Sequence, residues 1–206
     1  MPSEQATAPE RRSRLTPERE GELYDAVIAL LRDVGYEALT MDAIAARAKT
    51  SKATLYRQWQ GKPKLVIHAL AHLRPVHLGG DDTGSLEGDL RSVARHLAGL
   101  AREDGALLAS MSHAVMTNHE LGEMLREVLI RPERDAFDAL VQRAVARGEL
   151  AHKPAATDFC GGILVQAVLN RPLCDGAEAT EDYLVDIIET VVLPALRHSR
   201  AVSSVM

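Results

Sequence analysis

The sequence predicts an all-α protein of about nine helices. Three observations carry this. Apolar residues recur three and four apart in one segment after another, the spacing that lines one face of a helix. The segments begin or end at Pro, Gly or small polar residues suited to capping. No stretch alternates apolar and polar residues as a half-buried strand does, and no internal repeat is visible. Apolar residues make up 46% of the 206-residue chain but aromatics only 3%, so Leu, Val, Ile, Ala and Met must fill the core.

Thr16-Pro17 opens the first helix, with a cap followed by proline at the first helical position, where its missing N–H costs nothing. Leu23, Val27, Leu30, Leu31 and Val34 make the buried stripe, and Gly35 ends it. Thr40 caps a second helix with Met41, Ile44, Ala45 and Ala48 on one face. Lys49 and Thr50 interrupt the pattern. Ser51 then caps a third helix, residues 52 to about 59, in which Leu55 and Trp59 face inward together. A fourth helix follows Gly61 and runs from Pro63, a first-turn residue, to about residue 73. The segment 74–85 has Pro, three Gly and two Asp and is the clearest break.

The fifth helix runs from 86 to about 102 on Leu90, Val93, Leu97 and Leu100. The sixth, about 105–117, carries Leu107, Leu108, Met111, Val115 and Met116. The seventh starts near 120 and should kink or split at Pro132, since proline removes a helical hydrogen bond and clashes with the preceding turn. Its second part bears Phe137, Leu140, Val141, Ala144 and Val145 and ends at Gly148. The eighth, about 155–169, holds Phe159, Ile163, Leu164, Val165 and Val168, with Pro172 and Gly176 in the next loop. The last, about 181–196, holds Tyr183, Leu184, Ile187, Ile188, Val191 and Val192.

The net charge of −5 divides unevenly. Residues 1–65 hold 11 Lys+Arg and 9 Asp+Glu, net +2, whereas residues 66–206 hold 13 and 20, net −7. Residues 43–80 contain no Asp or Glu but carry Arg47, Lys49, Lys52, Arg57, Lys62, Lys64 and Arg74. Such a one-sided run is what phosphate contacts need, because neutralising phosphates releases counterions. A short capped helix with small polar and basic residues at its N-terminal end suits a DNA major groove.

At these residues the chain resembles the TetR/AcrR-type one-component regulators. Leu55-Tyr56, Trp59, Lys62 and Leu65, with Ala45, Ala48 and Ser51 before them, carry the resemblance. It implies a homodimer with an N-terminal three-helix, helix-turn-helix DNA-binding domain and a C-terminal helical domain for ligand binding and dimerisation. By resemblance, Ser51, Lys52, Ala53, Thr54 and Arg57 approach bases or nearby phosphates, Tyr56 and Lys62 hold the DNA backbone, and Thr40 adds a phosphate contact. Two positions depart from the pattern. Lys49 stands where the family has a turn glycine, which costs energy if the backbone turns left-handed there. Gly61 stands where a polar cap is usual.

The domains expected are a disordered basic arm at 1–15, the DNA-binding domain at 16–65 and the C-terminal helical domain at 66–200. Arg11, Arg12 and Arg14 either reach an adjacent minor groove or form a solvated tail. The apolar faces of the last two helices need a cover, either a second copy of the chain or the chain's own core. For a dimer interface, Phe159, Leu164, Val168, Tyr183, Leu184, Ile187 and Val191 are the candidates, with Gly161-Gly162 allowing close approach. A mostly apolar ligand pocket would draw on His96, Leu100, Met111, His113, Met116, Met124, Phe137, Cys160 and Gln166.

Other chemistries find little support. His68 and His72 are four apart, but no third metal ligand is nearby. There is no nucleophile elbow, dinucleotide fingerprint or phosphate loop. Neither an enzyme, a cofactor nor a metal is therefore expected. The two cysteines, Cys160 and Cys174, are too few for a disulfide framework, and no apolar run approaches the roughly 20 residues of a membrane span. The expectation is a cytoplasmic, ligand-responsive repressor, with a near-palindromic double-stranded DNA operator, a second copy of itself and a small molecule of unknown identity as partners. The alternatives are an activator or co-repressor-dependent regulator of the same fold, or a small-molecule-binding protein without DNA binding.

Overall fold

The computed structural model describes residues 15–73 and 78–201. Among these residues the chain forms eight helices and no strand. The first four are α1 (Pro17–Ala38), α2 (Met41–Arg47), α3 (Lys52–Trp59) and α4 (Lys62–Leu73). The 32-residue α5 (Leu86–Thr117) follows. Helix α6 joins His119–Leu125, a π-helical turn at Arg126–Ile130 and Arg131–Ala146 into one rod. Then come α7 (Thr157–Asp175) and α8, which joins Glu181–Ile187, a second π-helical turn at Ile188–Val192 and Leu193–His198.

The expected caps are in place. The side chains of Thr16, Thr40 and Ser51 accept from the backbone N–H groups of Arg19, Ala43 and Thr54 at 3.4, 3.1 and 3.1 Å. Ser85, Asn118 and Thr180 do the same for α5, α6 and α8. The helical path of α1 breaks at Gly35, which takes a left-handed φ of 73°. Tyr36 then turns back into the core, and Val34, expected in the buried stripe, lies half in solvent.

Three expectations about α5 to α8 are corrected. The fifth and sixth helices are one rod, about 48 Å long at 1.5 Å per residue. Gly105 does not break it, because an interior glycine costs only about 1 kcal/mol and packing on both sides outweighs that. Pro132 does not split α6. The π-helical turn just before it widens the ladder and makes room for the ring, and the same device precedes Pro194 in α8. Helix α7 continues through Pro172 and stops at Gly176, whose φ is 65°.

Two apolar cores result. The first gathers Leu23, Val27, Ile28 and Leu31 of α1 with Ile44, Leu55, Trp59 and Leu65–Leu70 positions of α2 to α4, and it also takes Leu107, Met111, Ala114 and Leu121 from α5 and α6. The second packs Leu86–Ala101 positions of α5 against Phe137, Leu140 and Val141 of α6, Cys160 and Leu164 of α7, and Leu184 to Leu196 positions of α8. Helix α5 therefore belongs to both. At the changeover, Arg32 of α1 pairs with the buried carboxylate of Asp104.

A buried polar network edges the second core. The fully buried Asp89 accepts from the Thr83 N–H at 2.7 Å, the Thr83 hydroxyl at 2.8 Å and Arg147 Nη2 at 3.0 Å. Arg143 donates to the Gly79 carbonyl at 2.7 Å. Burial alone would raise the Asp89 pKa, but these bonds outweigh it and hold the group below the usual carboxylate range. Gly80 fits here because it has a φ of 57° and a Cβ there would lie 2.6 Å from the Asp89 carbonyl oxygen.

Candidate nucleic-acid interface

Helices α2 and α3 meet at a tight turn. Its bonds run from Lys49 N–H to Ala46 O (3.3 Å) and from Thr50 N–H to Ala45 O (3.0 Å). Lys49 takes the left-handed conformation, with φ 50°, where glycine would be unstrained. Gln60 is also left-handed, φ 65°, and closes α3 by donating its N–H to the Tyr56 carbonyl. Nothing in the residue type pointed to that.

Leu55 and Trp59 anchor α3 in the first core. The Trp59 ring meets Tyr24 edge-on at 5.9 Å, and its Nε1–H donates to the Tyr24 hydroxyl at 3.3 Å. The Tyr24 hydroxyl donates to Glu20 at 2.6 Å, so α1 fixes the rotation of α3. With that face buried, Ser51, Lys52, Ala53, Tyr56 and Arg57 are left exposed and Thr54 half-buried. Thr40 is exposed at the start of α2. Of these expected residues all but the half-buried Thr54 are thus open to solvent.

Lys62 is placed differently. Its ammonium donates to the Tyr36 carbonyl at 2.9 Å and sits 4.2 Å from the centre of the Tyr36 ring, so it ties α4 to the end of α1. Arg11, Arg12 and Arg14 lie outside the described residues. One neighbour of the turn was missed: Arg19, whose guanidinium pairs with Glu22 and donates to the Ala48 carbonyl at 3.3 Å. It lies 29 positions from Ala48, so no local pattern could have marked it.

The ligand-pocket candidates are spread over both cores and the surface. Met111 is buried in the first core and Met124 packs against it. His113 and Gln166 are on the surface, and Met116 is 87% exposed. Leu100, Phe137 and Cys160 are buried in the second core, with His96 half-buried nearby. Burial pushes the Cys160 thiol up to about 11, which makes it inert. A cleft of about 420 Å³ opens between α6 and the start of α7, floored by Leu78, Phe137 and Gly161 and rimmed by Arg134, Asp135, Lys153 and Asp158. Among the described residues no three His, Cys, Asp or Glu side chains come together as metal ligands.

The interface candidates also separate. Leu164, Val168 and Leu184 are buried in the chain's own core, because they lie on the inner faces of their helices. Gly161 packs against Phe137 and Leu78 within the chain. Phe159 is 67% exposed, Val191 is also exposed, and Tyr183 and Ile187 are half-buried. Ile163 and Leu173 extend the exposed apolar surface of α7. Arg171 lies over the Tyr183 ring at 3.5 Å and links α7 to α8.

A capped second helix, a tight turn and an anchored, solvent-facing third helix, set on a larger helical domain, define a helix-turn-helix transcriptional regulator. The comparisons narrow the class. Residues 23–69 match the bacterial regulatory proteins of the tetR family, and residues 81–191 match the tetracyclin repressor-like C-terminal domain. The chain belongs to the TetR family of DNA-binding transcriptional regulators. It is 30% identical over 182 residues to the HTH-type transcriptional regulator Mb1581 of Mycobacterium bovis, covering 88% of this chain and 89% of that one. It is 31% identical over 177 residues to the DNA-binding transcriptional repressor TetR of Mycobacteroides abscessus, covering 84% and 90%. Among solved structures, the TetR family transcription regulator SCO0332 superposes with a TM-score of 0.69 at 22% identity, over 85% of this chain and 97% of that one. The fatty acid degradation regulator FadR of Bacillus halodurans does so at 0.62 and 18%, over 92% and 100%. Among the described residues no helix is long and apolar enough to cross a membrane.

Proposed function

We propose that the protein is a cytoplasmic, homodimeric repressor that leaves a near-palindromic operator when a small molecule binds its C-terminal helical domain. The observation that carries the reading is α3, anchored by Leu55 and Trp59 with Ser51, Lys52, Ala53, Tyr56 and Arg57 turned to solvent. The exposed apolar residues Phe159, Ile163 and Val191 on α7 and α8 support a two-fold dimer in which both helices pack against their copies. Such a dimer places two recognition helices in successive major grooves, about 34–36 Å apart.

The release mechanism rests on continuity between the domains. Helix α5 enters both cores, Arg32 pairs with Asp104 at the changeover, and α4 packs on α6. A ligand that prefers one arrangement of α5 and α6 shifts the spacing of the recognition helices in proportion to its differential affinity. The 420 Å³ cleft beside Phe137 falls within the usual size of small-molecule sites, roughly 300–1,000 Å³, and supports a ligand there.

The test is selection of genomic DNA fragments by the purified protein across a salt series. The expected result is enrichment of one short near-palindrome that survives moderate salt. Sequence-blind binding that vanishes with salt would mean phosphate attraction alone. Candidate effectors drawn from the neighbouring genes then test release, and an operator affinity that no such effector lowers would remove the repressor mechanism.

A further inference from the structure

Asp42 is the last acidic residue before the acid-free span 43–80. It lies in the first turn of α2, where a carboxylate suits the helix dipole. It also reaches across the turn to Lys52, the first residue of α3. The Lys52 ammonium lies 2.9 Å from Asp42 Oδ1 and 3.0 Å from Oδ2, so both oxygens share it. Both residues are exposed, and a pair this open to water adds little to stability. Among the described residues Arg47, Lys49 and Arg57, also exposed, make no ion pair. On α3 itself, Lys52 is thus matched by an acid while Arg57 is not; beside the turn Arg19 is also matched, by Glu22 of its own helix.

We propose that Asp42 is a specificity-determining counter-ion: it cancels and positions the Lys52 charge, so that Lys52 adds little to sequence-independent attraction for DNA. The inference rests on the helix-turn-helix reading above and deepens it. A lysine whose charge is already matched releases no further counterion on meeting a phosphate, whereas each newly neutralised phosphate steepens the salt dependence of binding by about 0.9. Without the carboxylate, Lys52 would reach a phosphate on any sequence. An acid placed only to stabilise α2 would leave the salt dependence unchanged.

The experiment uses the full-length protein with two duplexes of equal length, the fragment selected from genomic DNA and an unrelated one. Affinities are measured across a salt series for wild type, Asp42→Asn, Lys52→Gln and the double variant. Asp42→Asn should bind the unrelated duplex severalfold more tightly at low salt, with a slope steeper by about 0.9 per protomer, and should discriminate the operator less. Lys52→Gln alone should leave the slope nearly unchanged, and in the double variant it should restore the wild-type slope. A Lys52→Gln slope flatter by about 0.9, with Asp42→Asn without effect, would show Lys52 leaving Asp42 for a phosphate and would overturn the inference. A wild type that selects no DNA would remove the helix-turn-helix reading and the inference together; one that selects its operator but shares a single slope with Asp42→Asn would remove the inference alone.

Discussion

The two cores of this protein are built from different materials. The first is tied at its centre by aromatic rings, with Trp59 edge-on to Tyr24 and bonded to its hydroxyl. The second is mostly aliphatic, with Phe137 and Cys160 inside and Tyr183 packed against it, and is tied at its edge by charge, with Asp89 held between Thr83 and Arg147. The first joins α1 to α4 and then takes in the distant ends of α5 and α6, and the second ties the start of α5 to the end of α6, 58 positions away. Short connections and ring contacts set one rigid surface on α3. The charge-pinned loop lets a long helix, α5, be fixed at its start and shared at its other end.

Removing each anchor separates the two. Trp59→Ala should have the largest effect, a loss of about 3–5 kcal/mol as for other buried aromatic truncations, with loss of DNA binding, measured by urea unfolding and a binding titration. If α5 couples the cores, a single transition will remain; two separate transitions would show that they unfold independently. Asp89→Ala should cost about 3 kcal/mol, the low end for breaking a buried pair, since Arg143 and Arg147 stay partly hydrated. Its operator affinity, measured under folded conditions, should stay closer to wild type than that of Trp59→Ala.

Acid distinguishes the cores as well. The Asp89 pKa is lowered on folding, so its contribution is fully present above the unfolded carboxylate value of about 3.9 and is lost as pH falls through the lower folded value. Wild type should lose this increment on acidification, and Asp89→Asn should lack that part of the pH dependence in unfolding measurements. Two smaller changes sharpen the comparison at the first core. Ser51→Ala should cost about 1 kcal/mol by uncapping α3. Lys49→Gly should be near neutral or stabilise by up to about 1 kcal/mol, because relief of the left-handed conformation exceeds the entropy glycine adds to the unfolded chain. A marked loss of stability would show that the Lys49 side chain has a packing role.

Much of the first core was readable from local pattern. Thr40, Ser51, Leu55 and Trp59 are placed by spacing and capping within one or two helical turns, and neighbours along the chain are neighbours in space. The same local logic located Gly35 and the strained Lys49. It could not count α5 as one helix, because the packing that outweighs Gly105 comes from two cores far apart in the chain. Nor could it tell the inward from the outward residues of α7, where apolar residues lie on both faces. Leu164 and Val168 turned inward, and Phe159 and Ile163 outward. Helical periodicity and caps depend on residues a few positions apart and are written in the chain itself. The partner of Asp89, the reach of Arg19 to Ala48 and the spread of the expected pocket residues depend on which helices pack together, and that is settled only when the whole chain closes its two cores.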